Sequence, residues 1–290
     1  MTKDGHLHSG EPVWYGKSVI HTCCQLDYRT AQDMIEHNIR IDPATGDCVG
    51  LDLWEEHRRP TGSHKMADVI QDVITLNLIA QSRRQLRLGA GAFKLTTKKM
   101  SFKLDPETRN PVSAGAYIIR ASNSLVEEYM LLANNLVAKE LIVYAGPFAF
   151  LRNHPPPDPK KLREFANWCK EMGFEKPDNP IVIGSDRNSQ ALQESVERMK
   201  VGLSAEDAEL VEFKLVNAMR PATYFAVGAK ENPAAWRHYA LAIDYYTHFT
   251  SPIRRYADIL VHRVLHAVLQ NRGRDVQSDN MRLTETDEEF

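Results

Sequence analysis

A mixed α/β fold, with long helices packed on a mixed β-sheet, is what this 290-residue sequence predicts, on three observations. Apolar residues recur at helical spacing in several long stretches. Runs rich in β-branched and aromatic residues lie between them. The apolar fraction, 43%, is enough for a substantial core. No internal repeat and no obvious linker interrupts the chain, so one domain is expected over residues 1–272, followed by a polar, acidic tail, 273–290, expected to be disordered.

Taken in order, VWYGKSVIHT at 13–22 reads as a strand. An amphipathic helix is expected over Tyr28–His37, with Ala31, Met34 and Ile35 on one face. Residues 38–62, punctuated by Pro43, Gly46, Gly50 and Pro60, read as a loop. A long helix follows over Met66–Leu86, with the stripe Val69, Val73, Leu76, Ile79 and Ala80. MSFKLD, a turn at Pro106–Pro111 and AYIIR predict a hairpin over 100–119. Further helices are expected at Ser124–Tyr144, Lys160–Met172, 205–219 and 252–270, with a strand at Thr223–Val227; residues 173–205 carry little pattern.

Charge narrows the function classes. Lys and Arg number 36 against 38 Asp and Glu, a net charge of −2, which is less basic than a protein that coats duplex DNA non-specifically. A neutral total still allows a local basic groove. Cys23, Cys24, Cys48 and Cys169 show no paired zinc spacing, and adjacent Cys23 and Cys24 suit neither a chelate nor a disulfide framework. Reduced thiols in a cytoplasmic protein are expected. No signal-peptide core or bilayer-length apolar run is found, so no membrane association is expected.

The segment that carries chemistry is Tyr246-Thr247-His248-Phe249-Thr250-Ser251-Pro252-Ile253-Arg254-Arg255-Tyr256-Ala257-Asp258. It announces a helix start: Ser251 suits the N-cap, Pro252 the first helical position, and an apolar stripe follows from Ile253 to Val268. A helix N-terminus favours anions, so two arginines in its first turn conflict with the helix itself. Free N–H groups and two guanidiniums would together make a phosphate site. The alternative pairs Arg254 with Asp258 at i+4 and leaves Arg255 as a solvated charge.

HFTSPIRRYADILVHR, residues 248–263, resembles the signature of the RNase II/RNB exoribonucleases. Other stretches agree in order: SVIH at 18–21 with LDY at 26–28, NSLVEEYMLLAN at 123–134, LRNHPPP at 151–157, and HYAL at 238–241. The resemblance covers roughly residues 1–272 and is nearest to the Dis-three-like exoribonuclease 2 type. It implies a partial RNB domain that binds single-stranded RNA 3′ ends, not DNA, and cleaves them with Mg²⁺ or Mn²⁺. Arg254 matches the catalytic arginine on the scissile-end phosphate, with Arg255 and Arg263 as supporting cations. Tyr28 matches the tyrosine near the 3′-terminal nucleotide. Glu127 matches the glutamate that contacts the sugar, where a carboxylate can accept from a 2′-hydroxyl. Phe93, in GAFKL where the family pattern reads G-A-L-x-L, and Phe102, on the first hairpin strand, are the two candidates for the plate that stacks the end base.

Each has a bland counterpart. Ser124-x-x-Glu127 also fits a capping box, Tyr28 could be a half-buried aromatic, and either phenylalanine could be core. His238, His248 and His262 invite a metal but lack i,i+4 pairing on one helix face. The resemblance also implies four metal-binding aspartates in a D-x5-D-x-D-D arrangement, which these 290 residues do not contain. Asp42, Asp47 and Asp52 imitate its opening with the wrong spacing, so no metal ligand is assigned and little or no activity is expected of the isolated chain.

Overall fold

The computed structural model describes residues 1–8, 10, 12–93, 100–116, 118–176, 180–182, 189–230 and 232–281. They group into two compact units, the first made of Met1–Gly10, Val19–Leu86 and Lys94–Tyr129, the second of Glu11–Ser18, Arg87–Phe93 and Met130–Phe290.

In the first unit, Asp27 starts α1 (Tyr28–Ile35) by accepting the Thr30 N–H at 2.7 Å. Two short strands, β1 (Arg40–Ile41) and β2 (Cys48–Val49), tighten the following loop. Helix α2 (Met66–Gly89) turns Ile70, Val73, Asn77 and Ala80 inward, and Ile70 and Val73 close a core with Met34, Ile39 and Trp54. The hairpin forms as β3 (Met100–Leu104) and β4 (Pro111–Ala116), with Phe102 opposite Ala114. Asp105 shapes its turn by accepting the Thr108 N–H at 2.7 Å. Helix α3 (Ala121–Tyr144) begins in this unit, its first turn closed by Asn123, whose Oδ1 accepts the Arg120 N–H at 2.9 Å.

In the second unit, β5 (Phe150–Asn153) precedes α4 (Pro159–Glu171), whose N-cap Asp158 accepts the Lys160 and Lys161 N–H groups. Helices α5 (Ser189–Lys200) and α6 (Ala205–Ala218) follow, then β6 (Thr223–Ala226) and the long α7 (Tyr256–Met281). Val137 and Leu141 of α3 pack on Val261, Leu265 and Val268 of α7, so the apolar stripes of the two longest helices of this unit meet in its core. Leu151 and Phe225, opposite each other on β5 and β6, bury beside Ala138 and Trp236.

The mixed helix-and-strand class holds, but the strands make three separate two-stranded antiparallel ladders among the described residues rather than one mixed sheet. Residues 13–22 are not a strand: no segment among the described residues pairs with them, and without one a β-rich run has no ladder. Helix α5 lies in the stretch that carried little pattern. Its buried face is Ser189, Leu192, Ser195, Val196 and Met199, and the two serines break the apolar signal. Helix α7 runs on to Met281, into the stretch expected as a disordered tail; the rest of that tail, 282–290, lies outside the described residues.

Candidate nucleic-acid interface

The cationic segment folds differently from its sequence reading. The helix starts at Tyr256, four residues later than Pro252, and Ser251 to Arg254 form a tight turn ahead of it. The cause is Asp258, which is fully buried. Its carboxylate accepts the Ser251 N–H at 2.7 Å and both arms of the Arg255 guanidinium, from Nε at 2.6 Å and Nη2 at 2.8 Å. Burial raises the Asp258 carboxyl, but the Arg255 and Ser251 hydrogen bonds outweigh it and hold it below the ordinary carboxylate range. An acid in the first turn of α7 also suits the helix dipole. The pair is therefore Arg255–Asp258, not Arg254–Asp258, and Arg255 is the fastener of the turn. Arg254 projects from it exposed, with no side-chain hydrogen bond or ion pair among the described residues.

Side chains from α3, α7 and the segment itself hold the approach to this turn. Asn134 of α3, completely buried, donates to the Tyr246 hydroxyl at 3.1 Å and accepts the Phe249 N–H at 2.9 Å. Thr247 donates to the Phe150 carbonyl at 2.7 Å, and Asn135 donates to the Tyr245 carbonyl at 2.7 Å. His262 of α7 stacks on Phe249, with ring centres 4.2 Å apart, and its Nε2 lies 2.8 Å from the Phe249 carbonyl.

Beside the turn lies a histidine and tyrosine cluster that sequence reasoning did not assemble. The His154 and His238 rings stack at 5.1 Å, His238 meets Tyr246 edge-on at 5.2 Å, and Tyr246 meets His248 edge-on at 5.5 Å. The Ala240 N–H donates to His154 Nδ1 at 3.1 Å. Burial, and then the neighbouring His154 and Arg152 charges, push His238 down to about 3. Burial, followed by the positive Arg255 and Arg152, pushes His248 down to about 4. These rings are neutral near neutral pH. The cues available were the strand TYFA, whose alternation sends Tyr224 outward, and Asn134 set amid an apolar stripe.

The other predicted residues divide between the units. In the first, Tyr28 opens α1 half exposed, and its carbonyl accepts the Ser122 hydroxyl at 2.6 Å. Gln32 Oε1 accepts the Ser122 N–H at 3.0 Å, which ties α1 to the start of α3. Glu127 is exposed on α3. Its capping alternative fails, because the helix starts at Ala121 and places Glu127 in the second turn, while Ser124 accepts from Arg84 at 2.6 Å. Phe102 is 57% exposed on β3. In the second unit, Phe93 is buried, 5.7 Å from the Tyr239 ring, with its N–H on the Ala240 carbonyl at 2.9 Å. Phe93 thus packs in the core of this unit. Arg263 is exposed and borders an apolar groove of about 720 Å³ shared with Trp14, Leu136, Pro252, Ile259 and His266.

No group of three or more His, Cys, Asp or Glu side chains that could hold a metal occurs among the described residues. Asp42 is committed to its own turn, accepting the Ala44 N–H at 2.8 Å. The residues described do not fit the divalent pair that the family resemblance implies.

A cationic turn thus stands beside neutral histidines on a scaffold of long helices and small ladders. Residues 1–271 match the family model described as RNB domain, and the chain belongs to that family. It is similar to the DIS3-like exonuclease 2 of Xenopus tropicalis, 38% identical over 258 residues, which covers 88% of this chain and 29% of that protein. Similarity to the Schizosaccharomyces pombe protein of the same name is 35% over 270 residues, 93% of this chain and 27% of that protein. An Arabidopsis thaliana protein named Inactive exonuclease DIS3L2 is 38% identical over 261 residues, 89% of this chain and 23% of that protein. Among solved structures, Mycoplasma genitalium RNase R in complex with ribose methylated single-stranded RNA matches with a TM-score of 0.60 at 25% identity, over 76% of this chain and 33% of that one. The chain spans less than a third of the length of these curated relatives.

Proposed function

We propose that this chain is the part of a 3′-to-5′ exoribonuclease that grips the 3′ end of single-stranded RNA while the strand is hydrolysed to nucleoside 5′-monophosphates. The observation that carries this reading is Arg254: an unpaired guanidinium, raised on a turn fastened by a buried ion pair, in a chain of the RNB family. A guanidinium so placed can hold a phosphate bidentately and stabilise charge that develops on it. Arg255 acts by fixing the turn rather than by touching RNA, and Arg263 is a supporting cation. On the first unit, Glu127 accepts from a ribose 2′-hydroxyl, Tyr28 lies against the terminal nucleotide, and Phe102 is the stacking plate. Mg²⁺ or Mn²⁺ serves the reaction in the family, and the carboxylates to hold it are not supplied by the described residues. Four unpaired thiols support a cytoplasmic setting.

The test uses 5′-labelled single-stranded RNA with the purified chain. Binding should weaken as salt rises and collapse in Arg254→Ala, with no stepwise shortening in Mg²⁺ or Mn²⁺. Binding indifferent to both salt and Arg254→Ala refutes the reading. Glu127→Ala should lower the ratio of RNA to DNA affinity; an unchanged ratio removes the sugar-reading role. A second reading, an RNA-binding protein that does not cut, is favoured by the absence of an acidic cluster among the described residues and by the similarity to a relative named inactive. Shortening that depends on Arg254 excludes it.

A further inference from the structure

The β5–β6 ladder has two faces. One buries Leu151 and Phe225; the other turns outward Phe150, Arg152 and Tyr224, with Arg152 directly opposite Tyr224. Phe150 stacks on Tyr224 at 5.4 Å with the rings 7° from parallel, and the Arg152 guanidinium lies over the same ring at 5.0 Å. Tyr224 is therefore held by two β5 side chains, which aims its hydroxyl. That hydroxyl lies 2.5 Å from His248 Nδ1. A phenol O–H is the stronger donor and an imidazole nitrogen the stronger acceptor, so the proton between them belongs to Tyr224. The neutral ring then carries its own proton on Nε2. Nε2 has no partner among the described residues. Its direction is set by Tyr224 and by Tyr246, which meets the ring edge-on at 5.5 Å.

The charges around His248 are unbalanced. Arg255, Arg152 and Arg254 all act on its ring, and Asp258, a carboxylate that also acts on it, is taken up by Arg255 and Ser251. Arg152 has no carboxylate partner of its own among the described residues, and neither has Arg254. The partly exposed Arg152 guanidinium and an aimed N–H donor, with no free carboxylate beside them among the described residues, make a site for an anion, and Arg254 remains available for another.

We infer that Arg152 and His248, with Tyr224 as the positioning residue for the His248 ring, hold a second phosphodiester of the RNA strand, distinct from the one held by Arg254. This rests on the RNA reading given above and adds a subsite to it. Neutral His248 contributes direction where Arg152 contributes charge. A protonated His248 would lose nothing as a donor, so the function lies in the ring's orientation and not in its titration.

The experiment is equilibrium binding of 5′-labelled single-stranded RNAs in which a single methylphosphonate replaces one linkage at a time from the 3′ end, removing one phosphate charge per oligonucleotide. The wild-type chain should lose affinity at two linkages. Arg254→Gln should abolish the loss at one of them only. Arg152→Gln and His248→Phe should each weaken binding roughly tenfold, the scale of one hydrogen bond to a charged group, and should abolish the loss at the other. His248→Gln, whose amide can place an N–H near the position of Nε2, should recover much of the affinity. Tyr224→Phe should weaken binding while leaving the urea midpoint close to wild type. Affinity unchanged in Arg152→Gln and His248→Phe overturns the subsite, as does loss of the same linkage signal in these variants and in Arg254→Gln. A wild-type chain that shows no RNA binding overturns the RNA reading and the subsite together, whereas intact Arg254-dependent binding with no second linkage overturns the subsite alone.

Discussion

Replacing the two neighbouring arginines one at a time should separate folding from binding. Asp258 is completely buried and accepts three hydrogen bonds, two of them from Arg255. Arg255→Ala leaves that carboxylate with a single backbone donor. Breaking a buried pair from one side costs about 3–5 kcal/mol, because the remaining charge is uncompensated. The Arg255 side chain is 18% exposed, so water can enter the space it leaves, and the lower end, about 3 kcal/mol, is expected. Arg254→Ala removes an exposed side chain without a partner and should change stability by no more than about 0.5 kcal/mol. Urea unfolding followed by circular dichroism measures both. The Asp258 carboxyl is held below the ordinary carboxylate range, so its stabilisation is complete above that range and is lost as pH falls through its folded value. In Arg255→Ala the same protonation relieves the stranded charge, and the deficit against wild type should therefore narrow on acidification. Equal stability losses in the two variants, or an Arg255→Ala midpoint equal to wild type, would refute the assignment of Arg255 as fastener.

Three further outcomes are expected. His238 is buried with its pKa moved from 6.5 to about 3, so the unfolded chain takes up the proton first. Stability is then full above the unfolded value and falls below it, by on the order of 2 kcal/mol at about pH 5, and His238→Phe should flatten that slope in acid titrations of the urea midpoint. Gly91→Ala should cost about 1–3 kcal/mol. Its φ is +95°, and a β-carbon there would come within 2.7 Å of the Gln190 nitrogen and 2.8 Å of Ser189 Oγ; an unaltered urea midpoint would count against this close approach. Phe93→Ala should lose about 3–5 kcal/mol of stability, whereas Phe102→Ala should leave the fold intact and lose about 1–3 kcal/mol of RNA affinity in a binding titration.

Among the described residues, six of the seven α-helices were readable because each carries its own signal: Asp27, Asp158 and Ser204 cap three of them, and apolar stripes mark α2, α3 and α7. Helix α5 was hidden by Ser189 and Ser195 on its buried face. Residues 13–22 misled because β-propensity records how a residue suits a pleated surface and says nothing about whether a partner strand exists. At the site, the position of Arg254 was legible from its motif, but the start of α7 was not. Asp258 takes the Ser251 N–H and Arg255 together, a bond pattern that competes with the N-cap signal of Ser251 and wins because the carboxylate is charged and buried. The His248–Tyr224 contact joins residues 24 positions apart through the edge of a ladder, and no local periodicity encodes such a meeting.

The stretch from Tyr245 to Ser251 belongs to no helix or strand, yet Asn134, Asn135, Thr247, His262 and Asp258 anchor its backbone from several directions. An irregular segment secured this way keeps its shape through side-chain bonds, most of them from the helices around it. Under the proposed reading, a strand arriving at it would meet a finished surface, so little conformational entropy would be surrendered at the moment of capture, and association could proceed without waiting for a loop to order. The same economy makes the segment brittle. Its contour can drift in evolution only if α3, β5 and α7 change in step, so variation among relatives should spare these anchors even where the surrounding surface is free to diverge.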